Sequence, residues 1–286
     1  MRDLQVAVTD DADTPKFTVR VVAERVGVPT ATLRSWNQRY GVGPSEHSPG
    51  RHRLYSENDI TIVREMHELI AEGASPRSAA RLAVESVKPP RGDVDSVVSA
   101  AMALDLVSLG KLLESHLRHF GVSDTWDLVV RPAFAAIVQQ QAECDGCVDV
   151  EHALSWSVSR ALHRLPVAPL DAAASTVLAC TSGETHVLPI EALRAALGEA
   201  GHGVLMLGAD VPPSALTDAV GRLQKPVTVV LWSQTPDTSD MEALHAVGAD
   251  AQVILAGPGW EAVTDVAPAV RVHTLREAVE HCVPPP

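Results

Sequence analysis

Apolar positions recur at helical spacing in the first part of the chain. One run covers Val19 to Arg25, with Ala23 and Val26 on its inner side, and Gly27 ends it. A second helix opens at Pro29-Thr30 and turns Leu33 and Trp36 inward. A third starts at Ser56-Glu57-Asn58-Asp59, which supplies a cap and early acidic residues, and carries Ile60, Val63, Met66 and Ile70. Pro76 to Val84 form a further short helix. Lys88-Pro89-Pro90-Arg91-Gly92 then breaks every pattern and reads as a linker. Helical spacing returns in four amphipathic runs, Val97–Leu104, Leu106–Leu113, Trp126–Val138 and Ala153–Leu165, which predict a four-helix bundle. After a second linker, Pro166 to Asp171, the period changes. Thr176–Cys180, Val204–Leu207, Val227–Trp232, Gln252–Ala256 and Val270–Thr274 are short and rich in β-branched residues. Val187–Ala200, Pro213–Leu223, Met241–Val247 and a segment from Leu275 lie between and after them at helical spacing. That alternation predicts a doubly wound parallel α/β sheet covered on both faces.

The expected organisation is therefore multidomain: a polar, Asp-rich and disordered tail at 1–15, an all-α winged helix-turn-helix head at 16–87, a four-helix bundle at 94–165, and a flavodoxin-like α/β domain at 172–284. The head is read from Thr30 to Ile60. Here a helix is followed by a Gly-Pro break, a basic Arg51-His52-Arg53 turn and a capped helix, as a groove-reading helix and a phosphate-touching wing require.

Charge sharpens the division. The net charge of −13 is carried entirely beyond residue 90, since residues 1–90 hold 12 basic and 12 acidic side chains. Within 15–55 there are 7 basic and 2 acidic residues. Exposed charges more than a Debye length of ~8 Å away are screened, so this local excess governs attraction to phosphate. The acidic remainder suits sensing or assembly. No apolar run is long enough to span a bilayer, the start lacks a secretory signal, and four cysteines form no disulfide framework; a cytoplasmic protein without a membrane partner is expected.

Thr30, Thr32, Arg34, Asn37 and Gln38 lie on the outward face of the second helix, where they form either a DNA contact or an ordinary solvated face. Arg51, His52 and Arg53 offer donors for phosphate oxygens. Tyr40 and Tyr55, the two tyrosines of the chain, flank the wing, and each suits core packing or a phosphate contact.

The same stretch resembles the MerR family of transcription regulators. The matching residues are Thr32-Leu33-Arg34, Trp36, Arg39-Tyr40-Gly41, Pro49-Gly50, Arg53-Leu54-Tyr55 and Asp59, within a match over most of 17–85. Asn37, where an acid is common, and Arg51, where the wing usually has a second Gly, depart from the pattern. The resemblance implies dimeric binding to double-stranded operator DNA through Thr30, Thr32, Arg34, Arg39, Tyr40, Arg51, His52, Arg53 and Tyr55.

In a doubly wound sheet, ligands bind outside the carboxyl ends of the strands. Those ends carry Thr181 to His186, Gly208-Ala209-Asp210, Ser233-Gln234-Thr235 and Gly257-Pro258-Gly259. The order of head, bundle and α/β domain is similar to that of the CarH/LitR light-dependent repressors, whose cobalamin-binding module is shared with methionine synthase. That resemblance makes His186 the lower axial ligand of cobalt, with Glu184 fixing its tautomer. It places Glu151 and His152 against an upper adenosyl group, and Ser233, Gly257 and Gly259 along a channel for the nucleotide tail. Adenosylcobalamin is the form it implies. Gln141 stands where light-sensing members have Trp, Ala142 where they can have a second histidine, and Pro189 where the motif has Gly. Read as residues alone, Glu184 and His186 are equally an N-capping acid and a loop histidine, and Glu151-His152 an exposed helix start. Cys144 and Cys147 form a CxxC open to metal or disulfide-switch readings.

The expected function is a transcriptional repressor, not an enzyme, whose dimeric or tetrameric state and operator affinity respond to cobalamin, with light as a further input. The alternatives are a MerR-type regulator whose sensory half binds another ligand or none, and a cobalamin enzyme or carrier subunit.

Overall fold

A computed structural model describes residues 16–44, 54–144, 146–170, 175–247, 250–264 and 266–283. The expected tail at 1–15, the wing residues Arg51, His52 and Arg53, and the Cys144 side chain lie outside this description. The chain divides into two compact units, Met1–Lys88 and Pro89–Pro286.

The first unit holds α1 (Val19–Val26), α2 (Thr30–Tyr40), α3 (Glu57–Ala71) and α4 (Pro76–Ser86). Gly27 and Gly41 close α1 and α2 in the left-handed region, at φ 74° and 71°, where a Cβ would be strained. Pro29 occupies the N-cap of α2 without a capping side chain, so Thr30 is its first helical residue. Ser56 and Asp59 form a reciprocal capping box at α3: the Asp59 N–H donates to Ser56 Oγ (3.1 Å) and the Ser56 N–H to Asp59 Oδ2 (2.8 Å). Val22, Leu33, Trp36, Ile60, Val63 and Met66 make the core. An antiparallel bridge joins Phe17 to Tyr55 through paired backbone hydrogen bonds of 2.8 and 2.7 Å.

The second unit begins with helices α5 (Val94–Met102), α6 (Leu106–Thr125), a π-helical turn at Trp126–Val130, α7 (Arg131–Cys144) and α8 (Val148–Leu162). The chain from Leu106 to Cys144 is thus helical except at Gly121, where two helices meet at a kink in place of the loop that the hydrophobic pattern predicts. The bend is at Gly121, with φ 76° and ψ 177°. There the freed Val122 N–H donates to the Glu199 carboxylate (2.8 Å), and the Thr125 hydroxyl donates to the Gly121 carbonyl (2.7 Å). Helix α8 starts five residues before the expected Ala153, with Asp149 and Glu151 in its first turn, where the helix dipole favours acids.

Strands β1 (Ser175–Cys180), β2 (Val204–Gly208), β3 (Val227–Trp232), β4 (Gln252–Ala256) and β5 (Val270–Val272) form one parallel sheet in the order β2-β1-β3-β4-β5. Helices α9 (Leu188–Glu199), α10 (Pro213–Arg222), α11 (Met241–Val247) and α12 (Leu275–Cys282) connect or follow the strands. Alternation along the strands sends their side chains to two cores. Leu178, Cys180, Val230, Ile254 and Ala256 pack with α9, α12 and the helices before the sheet. Val177, Ala179, Val229, Leu231, Val253 and Leu255 pack with α10 and α11. Strand β5 stops at Val272, because Thr274 leaves it to cap α12, its hydroxyl accepting the Glu277 N–H at 3.1 Å. The chain leaves β1 for β2 on one side and returns to β3 on the other, so a crevice opens between the carboxyl ends of β1 and β3. Among the described residues, no helix is long and apolar enough to cross a membrane.

Candidate functional site

At that crevice the loop after β1 turns back on itself. Glu184 is 1% exposed, yet both of its oxygens are engaged. Oε1 accepts the backbone N–H of His186 (2.8 Å) and lies 2.7 Å from His186 Nδ1. Oε2 accepts the backbone N–H of Gln234 (2.7 Å) and the Thr238 hydroxyl (2.7 Å). Burial pushes this carboxyl up, but the donors from His186, Gln234 and Thr238 outweigh it and hold the acid at about 2. The group is a carboxylate at any ordinary pH. In the neutral ring, a carboxylate beside Nδ1 places the proton on that nitrogen. Nε2 of His186 is then a free lone pair, on a side chain that is 63% exposed.

The surrounding turns brace this pair. The Asp210 N–H donates to the Glu184 carbonyl (2.8 Å), and Asp210 Oδ1 accepts the Gly183 N–H (2.7 Å). Ser233 is fully buried; its hydroxyl donates to the Thr235 carbonyl (2.9 Å) and lies 2.8 Å from Thr238 Oγ1. The two glycines after β4 are required by this packing. A Cβ at Gly257, whose φ is 102°, would sit 2.2 Å from the Ser233 carbonyl oxygen, and one at Gly259 2.2 Å from Ser233 Oγ. The small residues at these ends therefore admit the chain's own Ser233–Thr235 turn. The Cys180 thiol beneath the loop is raised to about 12, first by burial and then by the Glu184 charge, which makes it an inert core group.

Glu151 and His152 stand in the first turns of α8, Glu151 half-buried and His152 exposed. Gln141, on α7, donates through Nε2 to Glu151 Oε2 (3.0 Å) and to the Cys147 carbonyl (3.1 Å). Cys147 is a free thiol at φ 66°, the left-handed N-cap of α8. Among the described residues no cluster of His, Cys, Asp and Glu could hold a metal ion. Pro189 falls in the first turn of α9, where a missing N–H costs nothing.

In the first unit, Arg34, Gln38 and Arg39 are exposed on α2, while Thr30, Thr32, Asn37 and Tyr40 are half-buried. A cleft of about 550 Å³ is lined by Thr18, Val19, Arg34, Asn37, Gln38, Pro44 and Tyr55. Asn37 packs on Gly43, where a Cβ would come 2.5 Å from its Cγ. Tyr55 is 3% exposed, so its ring belongs to the core. Residues 17–85 match the MerR HTH family of regulatory proteins. That match spans nearly all of the first unit's described residues.

Beyond this MerR match the likeness continues. The chain is 25% identical over 222 residues to the HTH-type transcriptional repressor CarH of Myxococcus xanthus, a match covering 71% of this chain and 74% of CarH. It is 29% identical over 230 residues to the repressor CarA of the same organism, covering 74% of this chain and 75% of CarA. Both relatives are repressors, the class expected from the sequence, and not enzymes. A corrinoid protein for monomethylamine from Methanosarcina barkeri shares the fold, with a TM-score of 0.53 at 11% identity, over 66% of this chain and 95% of that one.

Sequence reasoning names Glu184, His186 and Ser233, which the structure joins in one hydrogen-bonded network. It misses Thr238 and the Gln234 N–H, which hold the second carboxylate oxygen.

Proposed function

We propose that this MerR-type regulator is a DNA-binding transcriptional repressor controlled by cobalamin. The cofactor would lie between helices α5–α8, read as a capping bundle, and the carboxyl ends of β1 and β3. The observation that carries this reading is the His186 ring: its Nδ1 is held by a buried carboxylate and its side chain is exposed, so that the neutral ring would present the Nε2 lone pair outward. That is the donor a cobalt centre requires, and the carboxylate behind it raises its basicity. Cobalamin would supply a cobalt able to take a nitrogen ligand from the protein; the remaining work falls to the chain. Glu184 fixes the tautomer, and Gln234, Thr238 and Ser233 hold Glu184. Glu151 and His152, at the start of α8, would hold the cofactor from the helix side. Arg34, Arg39 and the other exposed positions of α2, with the wing residues Arg51, His52 and Arg53, contact operator DNA. Cofactor binding changes assembly, dimer against tetramer, only through unequal affinity for the two states.

The test is direct. Full-length protein mixed with adenosylcobalamin or hydroxocobalamin is passed through gel filtration and its visible spectrum taken. The corrin band co-elutes with wild type and is lost or weakened with His186→Ala, while operator binding by the head persists. Absence of the band from wild type overturns the reading. Comparison of spectra and elution before and after green illumination of the adenosyl form tests light as the input. A second reading rests on Gln141: bonded to Glu151, it satisfies the upper face without an adenosyl group. On that reading the sensory half takes another ligand or none, and His186→Ala leaves both DNA binding and ligand response unchanged.

A further inference from the structure

Two tryptophans lie at the sheet, Trp260 buried and Trp232 half-buried, and their indole N–H groups differ in one respect. Trp260, on the face covered by α10 and α11, donates its indole N–H to the Leu231 carbonyl at 3.1 Å. Trp232, the last residue of β3, packs on the opposite face with α9 and the helices before the sheet. Its Nε1 is buried and has no hydrogen-bond partner among the described residues. An indole N–H is a donor only, and leaving it unpaired in the interior is unfavourable. Nearby positions show that the ring is placed. The Trp232 carbonyl accepts both the Thr181 N–H (3.1 Å) and the Thr181 hydroxyl (3.2 Å), which ties the end of β3 to the end of β1. A Cβ at Gly257 would come 3.2 Å from the Trp232 ring, so the glycine turn after β4 packs against its edge. The residue thus stands between the loop bearing His186 and the loop bearing Gly257, at the carboxyl end of β3 where the proposed cofactor would lie.

We propose that Trp232 is a positioning residue for the bound ligand, its indole N–H donating to an acceptor oxygen of that ligand. This rests on the cobalamin reading above. Cobalamin offers two sources of such an oxygen, the amide side chains of the corrin ring and the phosphate of the nucleotide tail. The donor adds to His186 ligation, and it selects for an oxygen acceptor over an apolar edge.

The experiment is a titration of full-length wild type and Trp232→Phe with hydroxocobalamin, read by the visible spectrum, with far-UV circular dichroism confirming the fold. The phenyl ring keeps an aromatic body and removes only the donor. Affinity is expected to fall about tenfold in Trp232→Phe, with the spectrum of the bound form unchanged because His186 still ligates. Equal affinity overturns the assignment while leaving the cobalamin reading intact; no binding by wild type overturns both. Indole-labelled protein supplies an independent readout. The N–H resonance missing from Trp232→Phe should move downfield and exchange more slowly when cobalamin binds, and a resonance that stays in place during binding overturns the inference. Repeating the titration with cobinamide, which lacks the tail, separates the two sources. A penalty that persists assigns the acceptor to a corrin amide, and one that vanishes assigns it to the phosphate.

Discussion

Glu184→Gln isolates the interaction on which the site depends. The native carboxylate accepts four hydrogen bonds with two oxygens. A glutamine amide has one acceptor oxygen and an NH2 that only donates. Whichever way it is turned, one backbone N–H, that of His186 or of Gln234, faces a donor. An unpaired buried N–H costs about 1–3 kcal/mol. The acid itself gives a second route to the magnitude. Its pKa is lowered from 4.5 to about 2, and at ~1.36 kcal/mol per unit the charged form contributes about 3 kcal/mol to folding. The two routes agree in order of magnitude.

The sign follows from the direction of the shift. A folded pKa below the unfolded one means that the stabilisation is complete above about pH 5, falls as the unfolded form takes up its proton, and is gone near the folded value of about 2. Denaturant unfolding of the full-length protein from pH 7 to pH 3 should show wild type more stable than Glu184→Gln by about 2–3 kcal/mol at pH 7. The gap should narrow as pH falls below about 5. Other carboxylates titrate in both proteins and cancel in the difference. A gap that is constant with pH would refute the charge argument, leaving only a steric role for the side chain.

Three further outcomes are expected. Gly259→Ala places a methyl 2.2 Å from Ser233 Oγ and 2.4 Å from the Thr235 carbonyl oxygen; it should lower stability by about 1–3 kcal/mol in thermal denaturation, and an unchanged midpoint would show that the turn yields freely. Ser56→Ala breaks the capping box of α3 and should cost about 1 kcal/mol, seen as faster hydrogen exchange in the first turn of that helix with little change in α4. Arg34→Ala should weaken operator binding by about 1–3 kcal/mol in fluorescence anisotropy at fixed salt; undiminished affinity would remove Arg34 from the contact surface.

The parallel sheet was legible because its inner strands are buried on both faces and so read as short apolar runs, as at Ser175–Cys180, Val227–Trp232 and Gln252–Ala256. A helix start with a side-chain cap was equally legible at Ser56, whereas the Thr274 cap was read as the end of a strand. Other features depend on contacts far apart in sequence. The Gly121 bend is stabilised by Glu199, 77 residues on, and no local pattern predicts that an uncapped N–H there will find a carboxylate. Thr238 and the Gln234 N–H reach Glu184 across 54 and 50 residues, the latter through a backbone group that carries no residue identity. Tyr55 had two roles open in the sequence; burial to 3% assigns its ring to packing. His186 itself came from family resemblance, since a Glu-Thr-His triplet in a loop does not declare which ring nitrogen is held.

The two sides of the proposed site are prepared unequally, and that inequality has a thermodynamic consequence. On the strand side, Glu184 already holds the imidazole in one tautomer and orientation, so ligation at Nε2 freezes little further freedom. On the helix side, Gln141 already satisfies Glu151 and the Cys147 carbonyl, so a ligand group that used Glu151 would first have to displace a formed hydrogen bond. A net hydrogen bond is worth about 1 kcal/mol, and one exchanged for another contributes close to nothing. Binding energy should therefore come mainly from His186 and its neighbours on the sheet. Cobalamins that differ only in their upper ligand should then bind with nearly equal affinity. A preference for the adenosyl form of a hundredfold or more, about 2.7 kcal/mol, would mean that α7 and α8 rearrange to make contacts the Gln141–Glu151 pair now occupies.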